Sequence, residues 1–409
     1  MTHAIDGHQL ELLRNGGEYF PALLERIRSA SRSIWIETYI FADDDTGRAV
    51  ASALIDAASR SVEVRLVLDG FGVFDHVGTL DERMKRGGVQ ISVFRPETSR
   101  WQFRKSRLRR MHRKLVLIDD QVAFCGGINI LDDFNMHGYA NADSFAARFD
   151  FAVRIEGPIT REIRDTMDTL WETLRDDPNA SRNAGLRALE RAGRSLRAFT
   201  RRASAASNSE RPTSANPAAR VSFLFRDNLR HRRSIEAAYL LAISRATQEV
   251  FIANAYFFPG KRLLAALNAA EARGVRVRLL LQGRKEYFLQ HYASRAFYDR
   301  LFNSGIEIAE YTASFLHAKV AVIDGVWSTV GSSNIDPFSL LLAREANVFV
   351  EDSAFSRELR AHLDHAWANE SRVLECSHWE KRSLLMRFKS RLAYRVARLL
   401  LAVFGYNLR

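Results

Sequence analysis

The feature that most narrows what this chain can fold into is a short pattern that occurs twice. His112, Lys114 and Asp119 are followed by Gly126 and Asn129; His317, Lys319 and Asp324 are followed by Gly331 and Asn334. Both read H-x-K-x4-D-x6-G-x-x-N, with no slip in spacing. With residue types taken as equally frequent, five such positions recur by chance on the order of 10⁻⁴ times in a chain this long. The residues between Lys and Asp are Leu, Val, Ile and Ala, the composition of a buried strand. A strand alternates faces with period two, so each His and the Lys two positions on share a face.

That juxtaposition suits attack on a phosphodiester. A neutral imidazole nitrogen can act as nucleophile, and the ammonium neutralises phosphoryl oxygens as charge develops. The Asp lies on the opposite parity at the strand end, where fixing a turn is its expected main role. Gly126 and Gly331 allow close backbone approach on a second short strand, and Asn129 and Asn334 supply amides to hold phosphate. A nucleophilic His also needs a partner that fixes its tautomer. Asp150 and Glu345 stand before matching apolar stretches, and we expect Asp150 to serve His112 and Glu345 to serve His317.

The flanking sequence repeats as well. Helix 16–30, strand 33–41, helix 43–58 and strand 62–70 follow in the order of a parallel βαβ unit. Strands 249–258, 274–283 and 305–311 repeat the first, second and third strands of the first half, with Asn254 expected at the place of Glu37. Those two polar residues either line the cleft or only bond a loop. The period is about half the chain, a duplicated domain. The spacing from Gly88 to His112 exceeds that from Gly305 to His317 by 12 residues. The surplus falls in 95–110, which carries seven basic residues, one acid, Trp101 and Phe103. We read it as a lip for anionic headgroups, against the plainer reading of a solvated charged loop.

The doubled motif resembles that of the phospholipase D superfamily, and the Gly126-Gly127-Ile128-Asn129 form resembles bacterial cardiolipin synthases of the B type. The resemblance runs from about Gly7 to about Ser371. It implies an α/β fold of two similar α/β/α halves about a pseudo-twofold axis, with the active site at their interface. It implies catalysis by His112, Lys114, Asp119, His317, Lys319 and Asp324 through a covalent phosphohistidine, with no metal or other cofactor. His112 is favoured as nucleophile by analogy, and the pseudo-symmetry leaves the reverse open. Asn129, Asn334, Gly126, Gly331 and Ser332 are the expected substrate-binding positions, with Asp150 and Glu345 as orienting carboxylates. The first motif has Gly127 where the second has Ser332, so the halves are expected to bind phosphate unequally.

At 409 residues two domains are expected. We divide the chain into a half at 1–175, a basic flexible linker at 176–220, a half at 221–373 and an amphipathic helix at 374–409. A formal net charge of +12 calls for an anionic partner, nucleic acid or an acidic membrane. Two cysteines give no disulfide framework, and Cys125 is expected in the core. No signal-peptide layout and no apolar run of spanning length is seen, so membrane contact is expected to be peripheral, on the cytoplasmic face of a bacterial membrane. In the tail, Leu385, Phe388, Leu392, Val396, Leu399 and Val403 form an apolar stripe beside Arg387, Arg391, Arg395 and Arg398. That is the pattern of an interfacial helix; the alternative is a terminal helix docked on the protein's own core.

The expected function is cardiolipin synthesis, with phosphatidylglycerol as acceptor, anionic phospholipids and a membrane surface as partners, and no nucleic acid. The alternatives are a phospholipase D-type hydrolase, a nuclease of the same superfamily and a non-catalytic membrane scaffold. The intact His and Lys of both motifs weigh against the scaffold.

Overall fold

The computed structural model describes residues 5–73, 79–96, 109–134, 146–176, 219–227, 231, 233–285, 288–336, 343–380 and 383–403. The first half runs β1 (Ile5–Arg14), α1 (Asn15–Ser29), β2 (Ser33–Thr38), α2 (Asp45–Ser59), β3 (Glu63–Asp69), α3 (Leu80–Arg86) and β4 (Gln90–Phe94). It closes with β5 (Lys114–Ile118), β6 (Val122–Gly126), β7 (Phe151–Glu156) and α4 (Thr160–Asp176). The second half opens with β8 (Ala219–Arg226), α5 (Ser234–Arg245), β9 (Glu249–Asn254), α6 (Lys261–Ala272) and β10 (Arg276–Gln282). It continues with α7 (Phe288–Arg295), α8 (Tyr298–Phe302), β11 (Glu307–Tyr311), β12 (Lys319–Ile323), β13 (Trp327–Gly331), β14 (Glu345–Glu351) and α9 (Ser353–Asn369). Three elements follow: β15 (Ser371–Leu374), α10 (Cys376–Glu380) and α11 (Leu384–Val403).

The fifteen strands among the described residues join one sheet, in the order β15-β11-β10-β9-β12-β13-β14-β8-β1-β7-β6-β5-β2-β3-β4. Apart from β15 the order is a palindrome: β8 answers β1, β14 answers β7, and so on to β11 and β4. The pseudo-twofold axis therefore passes between β1 and β8, which pair antiparallel. Within each half the βαβ strands are parallel and the motif strand is antiparallel to its neighbour. The inner faces of the halves pack on each other: Leu115, Leu117, Cys125 and Phe151 share a core with Val320, Val322, Ala346 and Val348. A separate core lies under the outer helices of each half. This shared layer lets residues two hundred positions apart meet.

Two expectations are corrected here. Ile34 pairs with Ile118 and Val250 with Ile323, so the register makes Asn254 the equivalent of Thr38 and not of Glu37. Glu37 is buried with Arg113, whose Nη2 donates to its Oε1 at 2.8 Å while Nε donates to Oε2. Arg113 lies between His112 and Lys114 in sequence, hence on the opposite face of the strand. Glu37 is thus the counter-ion behind the motif, not a cleft residue. Asn254 is also structural, its Oδ1 accepting from Ile335 N at 3.1 Å. Strand Ser371–Leu374 pairs with β11, so a boundary at 373 would cut through it. The expected linker at 176–220 falls almost entirely outside the described residues, as does most of the 95–110 lip, Trp101 and Phe103 included.

Candidate active site

Each motif histidine is gripped by the opposite half, at both main chain and side chain. His112 N donates to Arg344 O at 2.9 Å, and Arg344 N donates to Arg110 O at 2.7 Å. The next residue, Glu345, receives His112 Nδ1 with both oxygens, at 3.1 and 3.2 Å. The other half repeats this: Phe149 N donates to Phe315 O at 2.9 Å and His317 N to Phe149 O at 2.9 Å. Asp150 Oδ2 then receives His317 Nδ1 at 2.6 Å. The expected assignment of each carboxylate to its own half's histidine is therefore wrong, and the pairs are crossed. The cause is topological. The backbone entering each motif strand runs beside the backbone entering the other half's last strand, so the equivalent carboxylates exchange partners about the axis.

Because an ionised carboxylate only accepts, each Nδ1 carries the hydrogen and each Nε2 keeps a lone pair. Burial lowers the pKa of His112, and Lys114 adds to the shift. His317 is held well below the ordinary value by burial, then by Lys319, Arg148 and Lys114, with His112 contributing as well. Both rings are thus disposed to be neutral, and they sit close enough to influence each other. Lys114 is pushed down to about 7 by burial and by the Lys319 ammonium. Its Nζ donates to His112 O at 2.7 Å and lies 5.3 Å from the centre of the Tyr39 ring, which packs edge-on against His112. Lys319 Nζ donates likewise to His317 O. The two imidazoles and two ammonium groups therefore belong to one buried cluster.

The carboxylates differ. Burial raises Asp150 to about 6 despite Lys319 and the Phe151 N–H. Burial works on Glu345 in the same direction, but His112, Lys114 and the Ser332 hydroxyl outweigh it and hold its pKa below the usual value. Ser332 Oγ donates to Glu345 Oε2 at 2.5 Å and accepts from Ala346 N at 3.0 Å. Its hydroxyl is committed to the carboxylate, not offered to substrate as expected. At the equivalent Gly127, a Cβ would intrude on the Asp150 carboxylate. The Gly/Ser difference thus sets the support of the two carboxylates.

Several other expected site residues also make framework contacts. Asp119, in left-handed backbone at φ 53°, accepts from Ser31 N, Arg32 N and Ser33 N at 2.9, 2.7 and 2.9 Å. Asp324, at φ 51°, accepts from Thr247 N, Gln248 N and Glu249 N at 2.8, 2.9 and 2.9 Å. Both cap the strand that flanks their motif, at the end away from His. Asp tolerates this backbone better than most residues, which suits it to the position. Gly126 and Gly331 give close passage beside β7 and β14, where a side chain would strike Phe151 and Ala152 or Asn347. Asn129 Oδ1 accepts from Ile40 N at 3.3 Å, tying the G-x-x-N turn to the loop after β2.

Sequence reasoning missed the residues just behind the histidines. Asp69 Oδ2 accepts from Met111 N at 2.8 Å and its other oxygen lies 3.6 Å from Arg110. Gln282 Oε1 accepts from Leu316 N at 3.3 Å. Each ends its strand immediately before a glycine, in Leu68-Asp69-Gly70 and Leu281-Gln282-Gly283. The repeat carried that signal, but the side chains differ in type. Arg148, which helps depress His317, also escaped notice.

The family model described as cardiolipin synthase, PLD-like domain matches residues 23–171 and 239–367. Cardiolipin synthase B of Salmonella typhi and that of Escherichia coli K12 are each 36% identical over 401 residues, 98% of this chain and 90% of theirs. The probable cardiolipin synthase YwiE of Bacillus subtilis is 30% identical over 94% of this chain and 71% of its own. The phosphatidylserine synthase of Haemophilus influenzae superposes with a TM-score of 0.66 over 98% of this chain and 95% of that one; at 14% identity the likeness is of fold. With the crossed His–carboxylate pairs set between two repeated halves, these matches make the chain a member of the cardiolipin synthase family, phosphatidyltransferases of the phospholipase D superfamily.

Proposed function

We propose that the chain joins two phospholipids, transferring a phosphatidyl group to a hydroxyl of phosphatidylglycerol to make cardiolipin. When phosphatidylglycerol is also the donor, glycerol leaves. The observation that carries this reading is the crossed arrangement: two imidazoles, each with Nδ1 bound to a carboxylate, leave two free Nε2 atoms beside two ammonium groups. With the phosphodiester anion bound, His317 takes up a proton on Nε2 beside Asp150 and enters the step as the imidazolium; His112 Nε2 then attacks phosphorus, and the glycerol oxygen departs with that proton. A phosphohistidine is left. His317, now neutral, takes the proton of the incoming hydroxyl as its oxygen displaces His112, so protons and bonds balance over the cycle.

The difference between the carboxylates supports this division of roles. A phosphorylated imidazole bonded at both nitrogens is a cation throughout its lifetime. It is best matched by a carboxylate that stays ionised, as Glu345 does under Lys114 and Ser332. A ring that cycles its proton is better served by a partner near the working pH, as Asp150 is at about 6. Lys114 and Lys319 hold the phosphoryl oxygens, with the amides of Asn129 and Asn334. An arriving phosphate diester restores the charge that burial takes from Lys114. On this reading the protein works peripherally at the cytoplasmic face of a bacterial membrane and needs neither metal nor nucleic acid. No described helix is long and apolar enough to cross a bilayer.

The test is product analysis on pure labelled phosphatidylglycerol. Cardiolipin and glycerol in equal amounts are expected. Phosphatidic acid as the main product would make the chain a hydrolase. Cleavage of single-stranded DNA without lipid turnover would overturn the reading altogether.

A further inference from the structure

The described side chains of the C-terminal helix α11 fall into three stripes, and one of them is buried against the protein. Ser390, Ala393 and Ala397 are buried, at 2, 5 and 4% exposure. These small side chains let the helix lie close against α7. Tyr394, beside them, stacks on Phe258 with ring centres 5.5 Å apart and meets Phe297 edge-on. The large apolar residues point the other way. Leu385, Phe388, Leu392, Val396 and Leu399 are 62, 62, 48, 38 and 63% exposed. They recur at steps of three and four, a straight stripe about 21 Å long at 1.5 Å per residue. Of the two sequence alternatives for this tail, docking on the protein's own core holds for the Ser/Ala face, and the large apolar stripe is left exposed on the opposite face.

The third stripe is cationic. Arg391, Arg395 and Arg398 run along one flank and, with Arg300 on α8, line a groove of about 640 Å³. Asp299 also borders it, and its carboxylate accepts from Trp379 Nε1 at 2.8 Å. Leu384–Val403 carries five basic residues and no acid. Stripes of this charge repel one another across a symmetric pair of helices, which disfavours a second copy as the occupant. An apolar face flanked by unbroken positive charge matches an anionic bilayer, whose boundary offers acyl chain and phosphate at adjacent depths.

The position of the helix points the same way. Asn334 of the second motif is followed by Ile335, whose carbonyl accepts from Phe258 N at 2.6 Å. The Phe258 ring carries Tyr394 of α11. The helix therefore stands at the strand-end edge where the motif residues lie. We propose that α11 is the membrane-facing surface of the protein: its outward stripe lies in the headgroup–acyl boundary, and the arginine groove beside it takes the phosphate of an anionic phospholipid. The choice of lipid as partner rests on the function proposed above, but the surface is tested by binding alone.

Binding of the full chain is measured by co-sedimentation with vesicles of phosphatidylcholine, and of phosphatidylcholine mixed with phosphatidylglycerol. The triple variant Phe388→Asn, Leu392→Asn, Leu399→Asn is expected to lose about 100-fold in affinity for both vesicles. Arg391→Gln, Arg395→Gln, Arg398→Gln is expected to lose about 100-fold on the mixed vesicles only, with the remaining affinity little affected by salt. Both variants are expected to keep turnover of phosphatidylglycerol in detergent micelles within about threefold of the parent, because neither set touches the motif residues. A Leu392→Trp reporter gives a second readout that does not depend on the triple variants folding. Its emission is expected to shift to the blue on adding vesicles, and an unshifted emission would overturn the proposal. Unchanged vesicle binding by the apolar variant would do the same, as would a lipid-free dimer that this variant turns monomeric, which would give the stripe to a second copy. Loss of micelle turnover in the parent itself would instead defeat the proposed function and leave the surface standing.

Discussion

The two ends of the buried histidine–lysine cluster share one skeleton and differ in its furnishing. At one, His112 meets both oxygens of Glu345, and Ser332 supports that carboxylate. At the other, His317 meets a single oxygen of Asp150, with only Gly127 at the serine's place. Everything that fixes position is duplicated: the histidine N–H to the opposite half, the lysine to its own histidine carbonyl, the Asp cap at the far end of the strand. What differs is what sets proton affinity. A duplicated domain that meets itself about an axis can keep geometry by symmetry and divide chemistry by breaking that symmetry at a few side chains.

The sharpest way to break this comparison is to remove the rings one at a time. His112→Ala and His317→Ala are each expected to cost about 10⁴-fold or more in kcat, since residues that act as a unit fail together. Only His317→Ala, given a donor with a good leaving group, should accumulate a phosphatidyl-enzyme, detectable by mass spectrometry of the intact chain. Trapping in His112→Ala instead would reverse the two roles. Next come the carboxylates. Glu345→Gln and Asp150→Asn keep shape but remove the charge that fixes each tautomer, and each is expected to cost about 10³-fold in kcat/KM. Loss confined to one of them would mean that only one ring takes part in chemistry.

The carboxylates should also separate in stability against pH. Asp150 is raised from 3.8 to about 6 on folding, so its contribution is full below about 4 and is lost as pH rises through 6. Two pH units correspond to about 3 kcal/mol at most. Glu345 is lowered on folding from 4.5, so its contribution has the opposite sign: present above that value and lost as pH falls. Urea unfolding of Asp150→Asn between pH 4 and 6 should show a flatter fall than the parent. Asp69, also raised to about 6, keeps the fall from vanishing. A curve for Asp150→Asn parallel to the parent's would show that this carboxyl is not strained by burial.

Much of this arrangement could be read from the sequence because period-two alternation and a repeat survive without side-chain contacts. His112 with Lys114, the βαβ order and the equivalence of Asp150 with Glu345 all follow from spacing. Equivalence, however, does not choose a partner. An alignment of the halves says that Asp150 and Glu345 occupy matching places, but a twofold axis can join a residue to its own half or to the other with equal economy. Only the packing of the two inner faces, Cys125 against Ala346 and its neighbours, decides it. Asp69 and Gln282 escaped for another reason: both receive an N–H through a side-chain oxygen, and a carboxylate and an amide do that equally well, so the function is kept while the letter changes. The tail was legible as amphipathic, with docking as one alternative, but not the face that docks, because alanine and serine, which look featureless in a hydropathy pattern, make the contact.

The smallest expected effect probes the symmetry-breaking pair itself. Removing the hydroxyl in Ser332→Gly takes one donor from a buried, ionised Glu345 and also leaves Ala346 N without its acceptor. A charge-assisted bond of this kind is worth about 1.5–3 kcal/mol, but part is recovered because His112 still binds both oxygens. A loss of about tenfold in kcat/KM is expected, with the acid limb of the profile moved to higher pH as Glu345 becomes easier to protonate. The converse change behaves differently. Gly127→Ser does not install a matching donor, because its Cβ intrudes on the Asp150 carboxylate, so the residue must shift before any bond can form. It should therefore cost more than Ser332→Gly, and it should lower thermal stability as well as rate. If Gly127→Ser were instead tolerated, with the pH profile of the His317 end drawn toward that of the His112 end, the division of labour would rest on the hydroxyl alone and not on the extra methylene of Glu345. Equal, small losses from both changes would leave the asymmetry without chemical consequence.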